Sequence, residues 1–124
     1  MNTRIDIKAF ILELSLYIKP YVVFMWVSID LSLVPVGAGV SLSPYIRACK
    51  EIIEKNGLEH ELGPNGTAIE GDWESVFKCV KECHHEVHRL GVSRIYTTLK
   101  VNSRTDRLQS FKEKVPSVTS NIQK

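Results

Sequence analysis

The sequence predicts an α+β fold of four strands and two long helices, in the order β-α-β-β-α-β, closed by a short C-terminal helix. Three observations carry the prediction. Four runs alternate apolar and polar residues with a period of two, as half-buried strands do. Two longer runs repeat apolar residues at steps of three and four, as amphipathic helices do. Glycine, proline and asparagine punctuate the junctions.

The first strand is VSIDLSLV, where Val27, Ile29, Leu31 and Leu33 alternate with Ser28, Asp30 and Ser32. PVGAGVSLS follows as a loop with two glycines, too glycine-poor for a phosphate-cradling loop. In SPYIRACKEIIEKNG, Ser43 suits an N-cap and Pro44 the first helical position. Tyr45, Ile46, Cys49, Ile52 and Ile53 fall at helical spacing, and Asn56-Gly57 stops the helix, giving 44–56. LEHEL and TAIEG are the second and third strands, joined by the turn GPNG into a hairpin. Asp72 caps a helix from Trp73 to Leu90 that Gly91 stops. SRIYTTLKV is the fourth strand, and RTDRLQSFKEKV a short final helix with a fraying polar end. This order is the ferredoxin-like split βαβ arrangement, whose two helices cover one face of an antiparallel sheet ordered 4-1-3-2.

At 124 residues the chain suits one domain with a modest core. Residues 1–24 read as an appendage, a gene-model extension or an added helix or amphipathic anchor. Met25 is able to start a complete domain, expected over 25–115, with a polar tail over 116–124. Glu13, Lys19 and Pro20 interrupt the apolar N-terminal run, which argues against a membrane span, and no small-residue cleavage site follows it. The formal net charge of +2 is too small to imply nucleic acid. The basic excess is local: Lys100, Arg104, Arg107, Lys112, Lys114 and Lys124 stand against Asp106 and Glu113. Strands one and three offer no aromatic residue to stack a base, and Glu70 would repel phosphate. No nucleophile motif, Walker loop or dinucleotide fingerprint is present. The cysteines, Cys49, Cys79 and Cys83, make no even disulfide framework and fit reduced thiols in a cytoplasmic protein.

CVKECHHEVH, from Cys79 to His88, raises the question of a metal site. One helix can supply two ligands at i and i+4, through Cys79 and Cys83 or His84 and His88, but zinc needs four. Only Cys49 and His60 remain to complete a set, and there is no CxxC. The segment reads better as the apolar stripe of Trp73, Val76, Phe77, Val80, Val87 and Leu90, with Cys83 and His84 on or beside it and Cys79 at its edge. Neither metal nor cofactor is expected.

Alternation places three polar residues on the helix-covered sheet face: His60, Thr67 and Thr97. Buried polar groups need partners. They either bond one another or His84, or they line a small-molecule pocket. The opposite face, with Ser28, Asp30, Glu59, Glu61, Glu70, Arg94, Tyr96 and Lys100, is either solvated or paired with another subunit.

LSLVPVGAGVSLSPYI (31–46), LGPNGTAIEGDWESVF (62–77) and RLGVSRIYTTLKVNSRTDR (89–107) together resemble the small thiamine-binding-protein-like family of bacteria, archaea and fungi. Its most specific elements are Gly66, Thr67, Glu70 and Gly71, and the pair Arg104 and Asp106. The resemblance implies a ferredoxin-like fold assembled as a homodimer or homotetramer. It also implies a ligand, thiamine or its pyrimidine portion. Thiamine is a cation with an aminopyrimidine edge. Thr67, Thr97, His60 and His84 would meet the ring, and Glu70 or Asp30 would supply a carboxylate, although alternation aims both carboxylates at the opposite face. Arg104 completes the candidate set. The leading expectation is a non-enzymatic small-ligand-binding protein. The alternatives are an interaction protein whose sheet face builds an oligomer, and a small enzyme using His84 with a carboxylate.

Overall fold

β1 (Trp26–Val36), α1 (Ser43–Lys55), β2 (Glu59–Leu62), β3 (Thr67–Asp72), α2 (Trp73–Arg89), β4 (Arg94–Arg104) and α3 (Phe111–Ile122) follow one another in the predicted order. The computed structural model describes residues 6–10 and 24–122, so most of the expected 1–24 appendage lies outside the described residues. Residues 7–10 form one helical turn, with the Asp6 carboxylate accepting from the N–H groups of Lys8 and Ala9.

The sheet is antiparallel throughout and ordered β2-β3-β1-β4. Register matches the alternation: Ile29 lies opposite Ile69 and Val101, and Leu31 opposite Thr67 and Leu99. One face packs against α1 and α2. Val27, Ile29, Leu31, Ile53, Ile69, Val76, Cys79, Cys83 and Val87 are buried there. Removing their apolar surface from water is the main force holding helices to sheet. The sheet margins overhang this cover. Leu62 and Val101 have the predicted facing yet remain exposed, because β2 and β4 are edge strands.

Helix stops are set by local chemistry. Ser75 N–H donates to Asp72 Oδ2 at 3.0 Å, the expected N-cap of α2. Gly57 and Gly91 take φ of 68° and 100°, closing α1 and α2 in the left-handed region. Asn56 Nδ2 donates to Ile52 O and to Glu82 Oε2, both at 2.8 Å, so the residue ending α1 also ties it to α2. Ser43 is not the N-cap of α1. The Leu42 carbonyl accepts from Tyr45 N and Ile46 N, so the helix starts one residue earlier, and Pro44 in the first turn has no N–H to cap. Leu90 falls past the end of α2 and is exposed, whereas Cys79 is fully buried and not at the edge of the stripe.

Both long strands outrun their alternating cores. β1 continues through Pro35 to Val36. Its ladder with β3 ends at Leu31–Thr67, so the segment beyond is an edge, where proline is tolerated. β4 continues to Arg104, over three residues that the sequence pattern places in the loop and at the start of the last helix. The final helix therefore begins at Phe111 and not at Arg104, and it runs on to Ile122. What fixes its start is a contact with the sheet: Ser110 Oγ and Phe111 N donate to the two carboxylate oxygens of Glu70.

Candidate functional site

Where β1 outruns β3, a cleft of about 250 Å³ opens between the sheet and α1. β1 contributes Leu31, Ser32, Leu33 and Val34, and α1 contributes Tyr45, Ile46, Cys49 and Ile53. The β2–β3 turn, Gly63 to Gly66, closes one end, and Thr67 stands where the ladder stops. Apolar walls with a few placed polar groups are the composition of small-molecule sites. The polar groups here are the Thr67 hydroxyl, the Tyr45 phenol and the side chains of Ser32 and Asn65.

The turn is tight because Gly63 N–H donates to Gly66 O at 2.8 Å. A Cβ at Gly66 would stand 2.6 Å from Asp30 Oδ1 and 3.2 Å from Leu31 O, so only glycine lets the turn lie this close to β1. Asp30 faces the open side, as alternation predicts, yet its carboxylate borders the turn that closes the cleft. Gly71 plays a similar packing part. A Cβ there would meet Leu58 Cδ2 at 3.0 Å and Val76 Cγ2 at 3.2 Å, where β3 approaches α2.

The six candidate residues do not converge on one place. Thr67 lines the cleft. His84 Nε2 and Thr97 Oγ1 are 2.7 Å apart, one on α2 and one on β4, and satisfy each other. Burial, followed by the neighbouring His88 and His85, pushes the His84 pKa down, so the ring is neutral at pH 7. His60 lies on edge strand β2 and bonds the Leu58 carbonyl through Nδ1 at 2.9 Å. Glu70 is only 2 % exposed and serves the C-terminal segment. Arg104, also facing the open side, forks onto Asp106 (Nε–Oδ1 2.6 Å, Nη2–Oδ2 2.8 Å) and donates from Nη1 to Gln109 at 2.6 Å. That fork holds the Asp106 carboxyl down at about 2. Tyr45, Asn65 and Ser32 line the cleft and are not among the six candidates. Asn65 was legible only as part of a turn, and Tyr45 only as part of a helical stripe.

CVKECHHEVH resolves into packing. Cys79 and Cys83 face Cys49 of α1, all three thiols are free, and Cys83 Sγ approaches the Cys49 carbonyl at 3.8 Å. Hydrogen bonding with the thiols of Cys49 and Cys79, with burial, pushes the Cys83 thiol up. His88 Nδ1 bonds the Val92 carbonyl at 2.7 Å. Among the described residues, no group of three or more His, Cys, Asp or Glu is placed to hold a metal ion. Among the same residues, no helix is long and apolar enough to cross a membrane.

Comparison with known proteins gives one consistent result. The family model for "Thiamine-binding protein" matches residues 29–119. A UPF0045 protein of the cyanobacterium Synechocystis is 48% identical over 94 residues, which is 76% of this chain and 78% of the relative. A UPF0045 protein of Eremothecium gossypii is 32% identical over 95 residues, 76% of this chain and 90% of the relative. A hypothetical protein of Methanocaldococcus jannaschii has a crystal structure that superposes with a TM-score of 0.69 at 31% identity, covering 76% of this chain and 96% of that one. A Thermotoga maritima protein provisionally assigned to thiamine biosynthesis or salvage superposes with a TM-score of 0.66 at 25% identity, covering 75% and 98%.

Proposed function

This chain belongs to the thiamine-binding protein family, and on that footing we propose that it binds a small molecule, thiamine or its pyrimidine portion, in the cleft at Thr67. The observation that carries the reading is the placement of Thr67. Of the family-like Gly-Thr-x-x-Glu-Gly element, Gly66 and Gly71 are used by close packing and Glu70 by the C-terminal segment, while the Thr67 side chain borders the cleft. Apolar walls from Leu33, Tyr45 and Ile53 suit the faces of a pyrimidine, and the Thr67 hydroxyl suits its hydrogen-bonding edge. Asp30 faces the open side of the sheet and touches the cleft only through the Gly66 turn, so its carboxylate would act on the thiazolium cation across that turn.

Calorimetric titration with thiamine, thiamine phosphates and hydroxymethylpyrimidine tests the proposal. Dissociation constants in the micromolar range or below are expected. Thr67→Val should weaken every ligand by about tenfold, the loss of one buried hydrogen bond at about 1.4 kcal/mol. Asp30→Asn should weaken the cationic ligands and spare the neutral pyrimidine. Flat titrations with all of them would defeat the proposal.

A second reading, that the open sheet face builds a homodimer or homotetramer, is favoured by an exposed apolar pair on that face. Tyr96 lies opposite Val34 in the β1–β4 ladder, and it is 66% exposed and Val34 39%. Light scattering of Tyr96→Glu measures it: assembly lost with ligand binding retained would separate the two roles.

A further inference from the structure

A second cavity, of about 310 Å³, lies on the opposite side of the sheet from the Thr67 cleft. Its floor is two rungs of the β1–β4 ladder, Trp26 opposite Arg104 and Ser28 opposite Asn102. Its wall is the C-terminal segment, which contributes Gln109 and Lys114. Arg104 folds that wall into place through Gln109 and Asp106. The cavity therefore exists because the segment returns over the sheet.

The lining is rich in donors, and an unpartnered indole lies under it. Trp26 Nε1 is buried and has no hydrogen-bond partner among the described residues. A buried indole N–H without an acceptor is rare in a native fold and asks for an explanation. The Lys114 ammonium lines the same cavity and has no ion pair among the described residues. The Asp106 carboxylate, also in the lining, is neutralised by the bidentate Arg104 fork, which leaves Lys114 as the unpaired charge of the lining, and the nearby Glu70 carboxylate, opposite Ser28 on β3, is turned to the Ser110 hydroxyl and the Phe111 N–H. Ser28 and Asn102 add a hydroxyl and an amide.

We propose that this cavity is a second binding site, for a small oxyanion: a phosphate or carboxylate group held by the Lys114 ammonium and hydrogen-bonded by Ser28 and Asn102, against the Trp26 indole. The proposal is independent of the cleft reading, since no residue is common to the two linings.

The test is calorimetric titration of the full chain with inorganic phosphate and, separately, with acetate, at ionic strength held constant with chloride. A saturable response to either supports the site. Phosphate alone points to a phosphorylated ligand, and acetate alone to a carboxylate-bearing one. Lys114→Met should weaken the response at least tenfold, and Lys114→Arg should keep it. Trp26 is one of two tryptophans, so Trp73→Phe leaves it as the sole fluorophore, and its emission should shift with the same midpoint. Thiamine binding should be unchanged in Lys114→Met. No response beyond the chloride control, or equal affinity in Lys114→Met, would overturn the proposal.

Discussion

The N–H of Phe111 donates to Oε2 of Glu70 at 2.8 Å, joining residues 41 apart in the chain. The Ser110 hydroxyl donates to Oε1 of the same carboxylate at 2.6 Å. One buried carboxylate on β3 thus receives the first turn of α3, where free N–H groups and the helix dipole favour negative charge. A residue that looks like a ligand-binding acid in the sequence is a docking point for the C-terminal helix.

Glu70→Gln should destabilise the fold by about 1.5–3 kcal/mol, the range for hydrogen bonds to a charged group. Denaturant unfolding measures the loss, and hydrogen exchange should show the Phe111 amide losing protection first. Ser110→Ala removes one of the two bonds and should cost less. Undiminished protection at Phe111 in Glu70→Gln would contradict the docking role.

The His84 ring makes stability depend on pH. Its folded pKa lies below the ordinary histidine value, so the unfolded chain takes up the proton first as pH falls. Stability should be full above the unfolded value near 6.5, decline as pH falls from there to the folded value, and then level. His84→Gln should flatten that stretch of the curve. An unaltered slope would show that another group carries it.

Gly66→Ala should destabilise by about 1–3 kcal/mol, because the new methyl meets Asp30 Oδ1. Asp30→Ser in the same chain should restore part of the loss, leaving the strain against the Leu31 carbonyl. Thermal unfolding of the three variants forms the cycle. Strict additivity would rule out the contact as the cause.

The three thiols should be unreactive in the folded protein. Cys79 and Cys83 are fully buried and Cys49 nearly so; hydrogen bonding within the cluster pushes the Cys83 thiol up and the Cys49 and Cys79 thiols down, and burial, which shuts out the reagent, decides the outcome for all three. A chromogenic disulfide reagent should modify them only at the rate of unfolding, and all three at once in denaturant. A thiol that reacts rapidly in the native state would contradict this packing.

The fold was legible because its signals are local. Alternation gave the facing of every strand, and Asp72, Gly57 and Gly91 marked helix ends through backbone chemistry that needs no tertiary partner. The Thr97–His84 pair was legible as one of two alternatives, since both residues had inward positions. What the sequence hid depends on contacts distant in the chain. The start of α3 follows from Glu70, and the true length of β4 from its ladder with β1. The cleft was hidden for the same reason: it arises where β3 stops pairing and β1 does not. Thr67 is a candidate from alternation alone, whereas Tyr45 and Asn65 enter the cleft lining only when helix and turn come together around it.

The most direct test is an amide and methyl NMR titration of the full chain with thiamine. Saturable shifts clustered at Leu33, Tyr45, Gly66 and Thr67, around one cleft, are expected. Spectra that do not move, or shifts confined to the open face around Trp26 and Lys114, would contradict the cleft reading.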